Sequence, residues 1–372
     1  MGPGPRAGAR PRPGGWPGAE AGRGERVPRL RRVDCSGPGI ARRRAGRGFV
    51  YLDENGKRIA DPGVLDRIRA LAIPPAWTDV WICPLPGGHI QATGTDARGR
   101  RQYRYHDIWR AHRDREKFDH MLEFARLLPD LRATCMHNLS QRGLTRDRVL
   151  SCAVRLLDLG FFRIGTEGYA EQNQTFGLAT MRKRHVEVSR NVVTFDYKAK
   201  NGKRRIQSIV DPQVVSVVTA LKRRTGGGHE LLAYRRGRLW VDVRSADINA
   251  FIRELSGAEL TAKDFRTWNA TVLAAVALAV SERATSATGR TRAVARAMQE
   301  VAHYLGNTPA VSRSSYVDPR VVDRYRSGLT IAAALEGIGE DVEMGQPSTQ
   351  GAIERAVLAL LTDDDVELPV AA

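Results

Sequence analysis

The strongest constraint on this chain is a change of hydrophobic period near Asp114. Before it, short alternating runs such as FVYLD, WTDVWICPLP and HIQATGTD are separated by turn signals, ENGK and Pro86-Gly87-Gly88. A period of two suits a half-buried strand, so this part reads as β-rich. After it, runs such as EKFDHMLEFARLL and RDRVLSCAVRLLDL place apolar residues at helical spacing. The period of 3.6 predicts helices, the second with Thr145 as N-cap and Gly160 as its stop. The fold class expected is therefore α+β, a small β-rich domain followed by a larger, mainly helical one.

Within the helical part, HVEVS, VVTFDYK and RRIQSIV alternate again between residues 184 and 210, joined by SRN and KNGK, and predict a three-stranded antiparallel sheet. Helices resume at Asp211-Pro212, an N-cap followed by proline, and at Ser245. Val294, Met298, Val301 and Leu305 form one apolar stripe closed by Gly306. Residues 1–46 are Gly, Pro, Ala and Arg with almost no aliphatic periodicity, and read as a disordered basic arm. The expected domains are thus the arm, a β-rich domain at 47–112, a helical catalytic domain at 113–362 with its sheet insert at 184–210, and an acidic tail at 363–372.

Lysine and arginine number 59 against 41 acidic residues, a formal charge of +18 that favours a polyanionic partner such as nucleic acid. The four cysteines form no CxxC pair, and no His cluster has metal-ligand spacing, so neither a metal nor another cofactor is expected. No GxxxxGK[ST] loop occurs, which disfavours an ATP-driven machine. No apolar run reaches the roughly 20 residues of a membrane span, and the N-terminus lacks an apolar signal core. A cytoplasmic, nucleoid-associated protein is expected.

Four segments concentrate polar groups that packing does not require: FFRIGTEGYAEQNQTFGLATMRKRHV, FDYKAKNGKRRI, TAKDFRTWNAT and HYLGNTPAVSRSSYVDPRVVDRY. Attack on a phosphodiester without a metal needs a nucleophile, cations for the charge on the non-bridging oxygens, and an acid for the departing oxygen. Tyrosine, arginine and lysine meet these needs. A guanidinium fork clasps two phosphate oxygens at once. A tyrosine nucleophile yields a phosphodiester of similar energy to the one broken, so resealing needs no ATP.

GHIQATGTDARGRRQYRYH, FFRIG with FGLATMRKRHV, AKDFRTW and LGNTPAVSRSSYVDP follow one another in an order that resembles the type IB DNA topoisomerases of the small poxvirus-like and bacterial kind. The likeness runs from about Gly48 to Asp323. It implies Arg163 and Arg266 as transition-state arginines, Lys200 as general acid and Tyr316, set in a polar loop, as the nucleophile forming a 3′-phosphotyrosyl bond. Lys198 and Lys203 share the hairpin turn with Lys200 and remain alternatives for the acid. Asn307 stands where many relatives have histidine; asparagine cannot act as acid or base, but its amide can still donate to a phosphate oxygen. His303 is expected to be structural.

The strip Arg98 to Tyr105 alternates basic groups with aromatics, a pattern suited to phosphates and base edges. The resemblance implies that Arg100, Gln102, Tyr103 and Tyr105 lie on double-stranded DNA with Arg113 nearby. The two domains are expected to clamp the duplex, and a monomer is the default expectation because such a clamp needs no partner. Two rival classes share the chemistry or the charge. A tyrosine recombinase commonly carries His-x-x-Arg where this chain has Lys263-Asp264-Phe265-Arg266, and an idle nucleic-acid clamp needs no complete set of reacting groups.

Overall fold

The computed structural model describes residues 30–281, 284, 286–336 and 350–362. The acidic tail and most of the basic arm, residues 1–29, lie outside the described residues. The chain divides into two compact units, one ending at Arg115 and the other beginning at Glu116. With a sheet-based first unit and a mainly helical second, the fold is α+β.

In the first unit five strands form one antiparallel sheet: β1 (Ile40–Ala45), β2 (Gly48–Leu52), β3 (Thr78–Ile82), β4 (Ile90–Thr95) and β5 (Arg101–Tyr105), in the order β2-β1-β3-β4-β5. Helix α1 (Pro62–Ala70) packs on it through Ile68, capped by Asp61, whose carboxylate accepts from Val64 N at 2.8 Å. The small core is Ile40, Ile68, Val80, Ile82 and Ala92.

Strand β1 corrects the expected arm, which ran to residue 46. Its sequence IARRRA looks too basic for an interior strand, yet it pairs with β2 on one side and β3 on the other. The reason is that Arg42 is used structurally. Its guanidinium donates to the carbonyls of Ile73, Pro74 and Trp77 and lies 4.2 Å from the Phe49 ring centroid. An arginine stem packs like an aliphatic side chain while its fork satisfies a turn, which composition alone does not reveal.

Helix α2 (Asp107–Ser140) leads into the second unit, followed by α3 (Arg146–Gly160), α4 (Glu167–Asn173), β6 (Val186–Ser189), β7 (Val192–Lys198) and β8 (Arg204–Ile209). Then come α5 (Pro212–Arg223), β9 (Ala233–Arg236), β10 (Leu239–Asp242), α6 (Ser245–Ser256), α7 (Ala262–Ala279) and α8 (Ala287–Leu305). The short helices α9 (Pro309–Ser315), α10 (Pro319–Arg326) and α11 (Ala332–Glu336) precede α12 (Ala352–Thr362). The expected meander is the antiparallel sheet β6-β7-β8. The β9–β10 hairpin was not foreseen, because AYRR and LWVD are too short to show a period.

Helix α3 runs through the core, with Val149, Leu150, Cys152, Ala153, Val154, Leu156 and Leu157 all buried. Thr145 caps it, accepting from Arg148 N at 3.3 Å. Its end differs from expectation: the left-handed residue is Phe161, at φ +52°, and not Gly160. Gly160 is required for another reason, since a Cβ there would lie 2.2 Å from the Phe162 ring. A bulky residue in the left-handed region is strained and persists only where its surroundings hold it. Helix α6 also begins one residue off, with Arg244 at the N-cap and the Ser245 N–H and hydroxyl both donating to the Glu167 carboxylate.

Candidate active site

Phe161 turns the chain out of α3 so that its carbonyl accepts a hydrogen bond from Arg266 Nη1. The next residues run alongside 176–179: Leu178 N donates to Arg163 O at 2.9 Å and Ala179 N to Ile164 O at 2.7 Å. Gly165 and Gly177 meet backbone to backbone, and a Cβ on Gly177 would sit 2.5 Å from the Gly165 Cα. That close approach is why FFRIG and FGLAT each carry a glycine. Phe162 anchors the same segment to β7, edge-on to Phe195 at 4.9 Å and stacked at 6.2 Å on Tyr197. Arg163 is thus carried on a rigid, partly buried run of backbone.

Arg266 lies in the first turns of α7, a helix opened by a capping box in which Thr261 N donates to Asp264 at 2.8 Å and Lys263 N to Thr261 Oγ1 at 3.3 Å. Its flanking Phe265 and Trp268 are buried, the latter donating from Nε1 to Glu354 at 3.0 Å. Arg266 itself is only 4% exposed, and its Nη2 donates to Leu305 O, the last carbonyl of α8, at 3.0 Å. Burial, and then the charge of Arg163, push its pKa down to about 10.

Gly306 takes φ +64° and closes α8 by donating to His303 O, and Asn307 N returns to Ala302 O at 3.0 Å. The Asn307 side chain accepts from Arg163 Nη2. Because a guanidinium only donates, the atom facing it must be the amide oxygen, which leaves Nδ2 as a free donor. Nδ2 of Asn307 and Nε of Arg266 are both buried with no hydrogen-bond partner among the described residues. His303, exposed on α8, contributes only its backbone carbonyl to this region.

Tyr316 follows α9 as its C-cap residue, not within an open loop. The signals were in the sequence: Thr308 caps the helix and Pro309 occupies its first position. The Tyr316 ring is half-buried, and the Arg266 guanidinium carbon lies 5.2 Å from its centroid. Burial raises the phenol's proton affinity, but the charges of Arg266 and Arg163, with hydrogen bonding from both, outweigh it and leave the pKa below the ordinary tyrosine value.

Lys200 stands at the exposed tip of the β7–β8 hairpin, whose turn passes through positive φ at Asn201 and Gly202. It lines a narrow cleft with Arg163, Arg205, Arg266 and Gly306. Of its two rivals, Lys203 lines the same cleft, whereas Lys198 does not and lies against Gly202. The structure therefore gathers Arg163, Arg266, Asn307 and Tyr316 into one cluster, with Lys200 on the wall of the adjoining cleft. Arg205, on β8, is part of that wall.

In the first unit, strand alternation turns Arg101, Tyr103 and Tyr105 to one face and Gln102 and Arg104 to the other. Tyr103 and Tyr105 are exposed by 47% and 41% and stack at 6.2 Å. Gln102 and Arg100 both donate to Asp96. Tyr105 and Arg113 line one groove with Arg32, His89, Trp109 and Arg110. β5 is an edge strand, and an edge that exposes two stacked tyrosines is poorly explained as a solubilising surface.

A family model of the eukaryotic DNA topoisomerase I catalytic core matches residues 106–334, and one of the bacterial DNA topoisomerase IB N-terminal domain matches residues 48–96. The chain is 32% identical over 297 residues to DNA topoisomerase 1B of Acanthamoeba polyphaga mimivirus, covering 78% of this chain and 88% of the viral protein. It is also 23% identical over 280 residues to DNA topoisomerase 1 beta of Arabidopsis thaliana, covering 68% of this chain and 29% of the plant protein. Vaccinia virus DNA topoisomerase 1B is 22% identical over 108 residues, covering 29% of this chain and 34% of the viral protein. The α+β chain with its arginine and tyrosine cluster is accordingly an enzyme and belongs to the type IB DNA topoisomerases.

Proposed function

We propose that Tyr316 attacks a phosphodiester of duplex DNA, forming a 3′-phosphotyrosyl bond, and that the same groups reseal the strand after its free end has rotated. The bond from the phenolic oxygen to phosphorus forms as the bond from phosphorus to O5′ breaks. The phenolic proton passes to solvent, and Lys200 gives a proton to the departing O5′. Arg163 and Arg266 offset the charge that gathers on the non-bridging oxygens, and Asn307 Nδ2 donates to one of them. One diester is exchanged for another, so relaxation draws on the strain of supercoiling and consumes no ATP.

The observation that carries this reading is the convergence of both arginines on Tyr316 beside two buried donors, Arg266 Nε and Asn307 Nδ2, that no protein group satisfies among the described residues. An unmet buried donor costs about 1–3 kcal/mol, and phosphate oxygens offset that cost. In the same reading Arg100, Gln102, Tyr103, Tyr105 and Arg113 contact double-stranded DNA through the β-rich first unit, which includes β1 and ends at Arg115, and the helical unit from Glu116 carries out the catalysis. The enzyme works as a monomer in the cytoplasm, at the nucleoid, with no cofactor. Relaxation of supercoiled plasmid in EDTA without ATP is the test; complete dependence on magnesium or on ATP defeats the mechanism.

The lowered pKa of Tyr316 has a sign that kinetics can read. A phenol that loses its proton more readily reaches its reactive form at lower pH. The rising limb of the single-turnover cleavage rate against pH is expected to inflect below about 10, the range of an unperturbed tyrosine. In Arg163→Gln the same inflection moves upward, because one of the two lowering charges is gone. An inflection at or above the ordinary tyrosine range in the wild type contradicts the assigned environment.

A further inference from the structure

A general acid on a surface hairpin works only if the hairpin is held, since a misplacement of about 1 Å costs on the order of 100-fold in rate. The turn that carries Lys200 is closed by Ala199 N donating to Lys203 O at 2.7 Å and Gly202 N to Ala199 O at 3.0 Å, both within the turn. One strand further on, Arg205 reaches out of the hairpin. Its Nη1 donates to His303 O at 3.2 Å and its Nη2 to Tyr304 O at 2.7 Å, two carbonyls in the last turn of α8. The next residues after that turn are Gly306 and Asn307.

Three features show that this contact is built and not incidental. Carbonyls at a helix C-terminus carry partial negative charge, which a guanidinium complements. A planar fork meets two adjacent carbonyls with two nitrogens in fixed geometry, whereas an ammonium offers one nitrogen on a flexible stem. Gly306 leaves the room: a Cβ there would stand 2.7 Å from Arg205 Nη1. Arg205 also lines the cleft beside Lys200, and β7–β8 pairing sets it opposite Tyr197, which packs under Phe162 next to Arg163.

We infer that Arg205 is a positioning residue, locking the Lys200 hairpin to the end of α8 so that the proton donor keeps a set distance from the Asn307 and Tyr316 end of the site. The inference rests on the proposed role of Lys200 as the acid. It assigns Arg205 no contact with the reacting phosphate. Removing it disturbs protonation of O5′ and leaves the attack by Tyr316 intact.

The test uses the full chain and a duplex oligonucleotide containing a cleavage site first mapped on plasmid, made with either oxygen or sulfur at the 5′ bridging position of the scissile phosphate. A thiolate departs without needing a proton. On the oxygen substrate, Lys200→Ala and Arg205→Ala are both expected to slow single-turnover cleavage by roughly 100-fold or more. On the sulfur substrate both are expected to return to within a few-fold of the wild type. Arg205→Lys keeps the charge but loses the rigid fork that fixes the hairpin against both carbonyls, so it shows the same substrate-dependent defect; it decides the matter if the alanine variant does not fold. Full activity of both Arg205 variants on oxygen, or a defect that sulfur does not relieve while Lys200→Ala is relieved, overturns the inference and leaves the proposed function standing. Failure of sulfur to relieve Lys200→Ala overturns the acid assignment itself, and the inference with it.

Discussion

Tyr316→Phe is expected to abolish both plasmid relaxation and the covalent DNA adduct while leaving folding and DNA binding unchanged. The substitution removes one oxygen and keeps the ring, which is half-buried against the core with the Arg266 guanidinium 5.2 Å from its centroid. Packing is therefore preserved, and the loss falls on bond formation alone. Loss of a nucleophile that acts as a unit with its neighbours typically costs on the order of 10⁶-fold. Denaturing gels after incubation with nicked duplex, followed by peptide mapping of the wild-type adduct, read the effect directly. A surviving adduct in the variant, mapped for instance to the exposed Tyr304 on α8, would remove Tyr316 from its role.

Arg266 is expected to show the second largest effect, and on two quantities at once. In the proposed mechanism its charge faces the reacting phosphate, where one preorganised donor is worth about 100- to 1000-fold in rate. Its fork also holds Phe161 O and Leu305 O, the carbonyls that end α3 and α8. Arg266→Ala leaves those acceptors without their partner, so the melting transition falls by an equivalent of about 1–3 kcal/mol besides the loss of cleavage. Arg266→Lys restores little of either, because one ammonium cannot bridge two carbonyls and still serve the phosphate. The pKa of about 10, lowered by burial and by Arg163, still leaves the wild-type residue charged at neutral pH. Full cleavage by Arg266→Lys with an unchanged melting temperature contradicts this dual role.

Much of the fold was legible because its causes are local. The switch of period separates sheet from helix near the start of α2, and Thr145 and Asp211 cap the helices that follow them. Gly306 ends α8 at positive φ as its place after an apolar stripe implies. The failures share a cause as well. Strand β1 was hidden because Arg42 acts as the partner of three distant carbonyls, and nothing within a few residues of it announces that use. Phe161 takes the left-handed position at the end of α3 although a glycine stands beside it, because its carbonyl is held by Arg266 from a helix about a hundred residues away.

The candidate site divides along the same line. Residue type alone would not have picked a site out of 59 basic residues; it was the resemblance to the type IB topoisomerases, carried by four motifs in order, that implied Arg163, Lys200, Arg266, Asn307 and Tyr316. Periods, caps and turn residues depend on forces that act within one or two turns of chain, so they are written in the order of the residues. Which hairpin lysines face the cleft, that Asn307 turns its oxygen to Arg163 and keeps a donor spare, and that Arg205 ties the hairpin to α8 were decided only by the folded chain. The two hydrogen-bonded links join groups 98 to 144 residues apart, set by how α3, α7, α8 and the β7–β8 hairpin pack. Packing of that kind depends on the shapes of all the partners together, and no single stretch of sequence contains it.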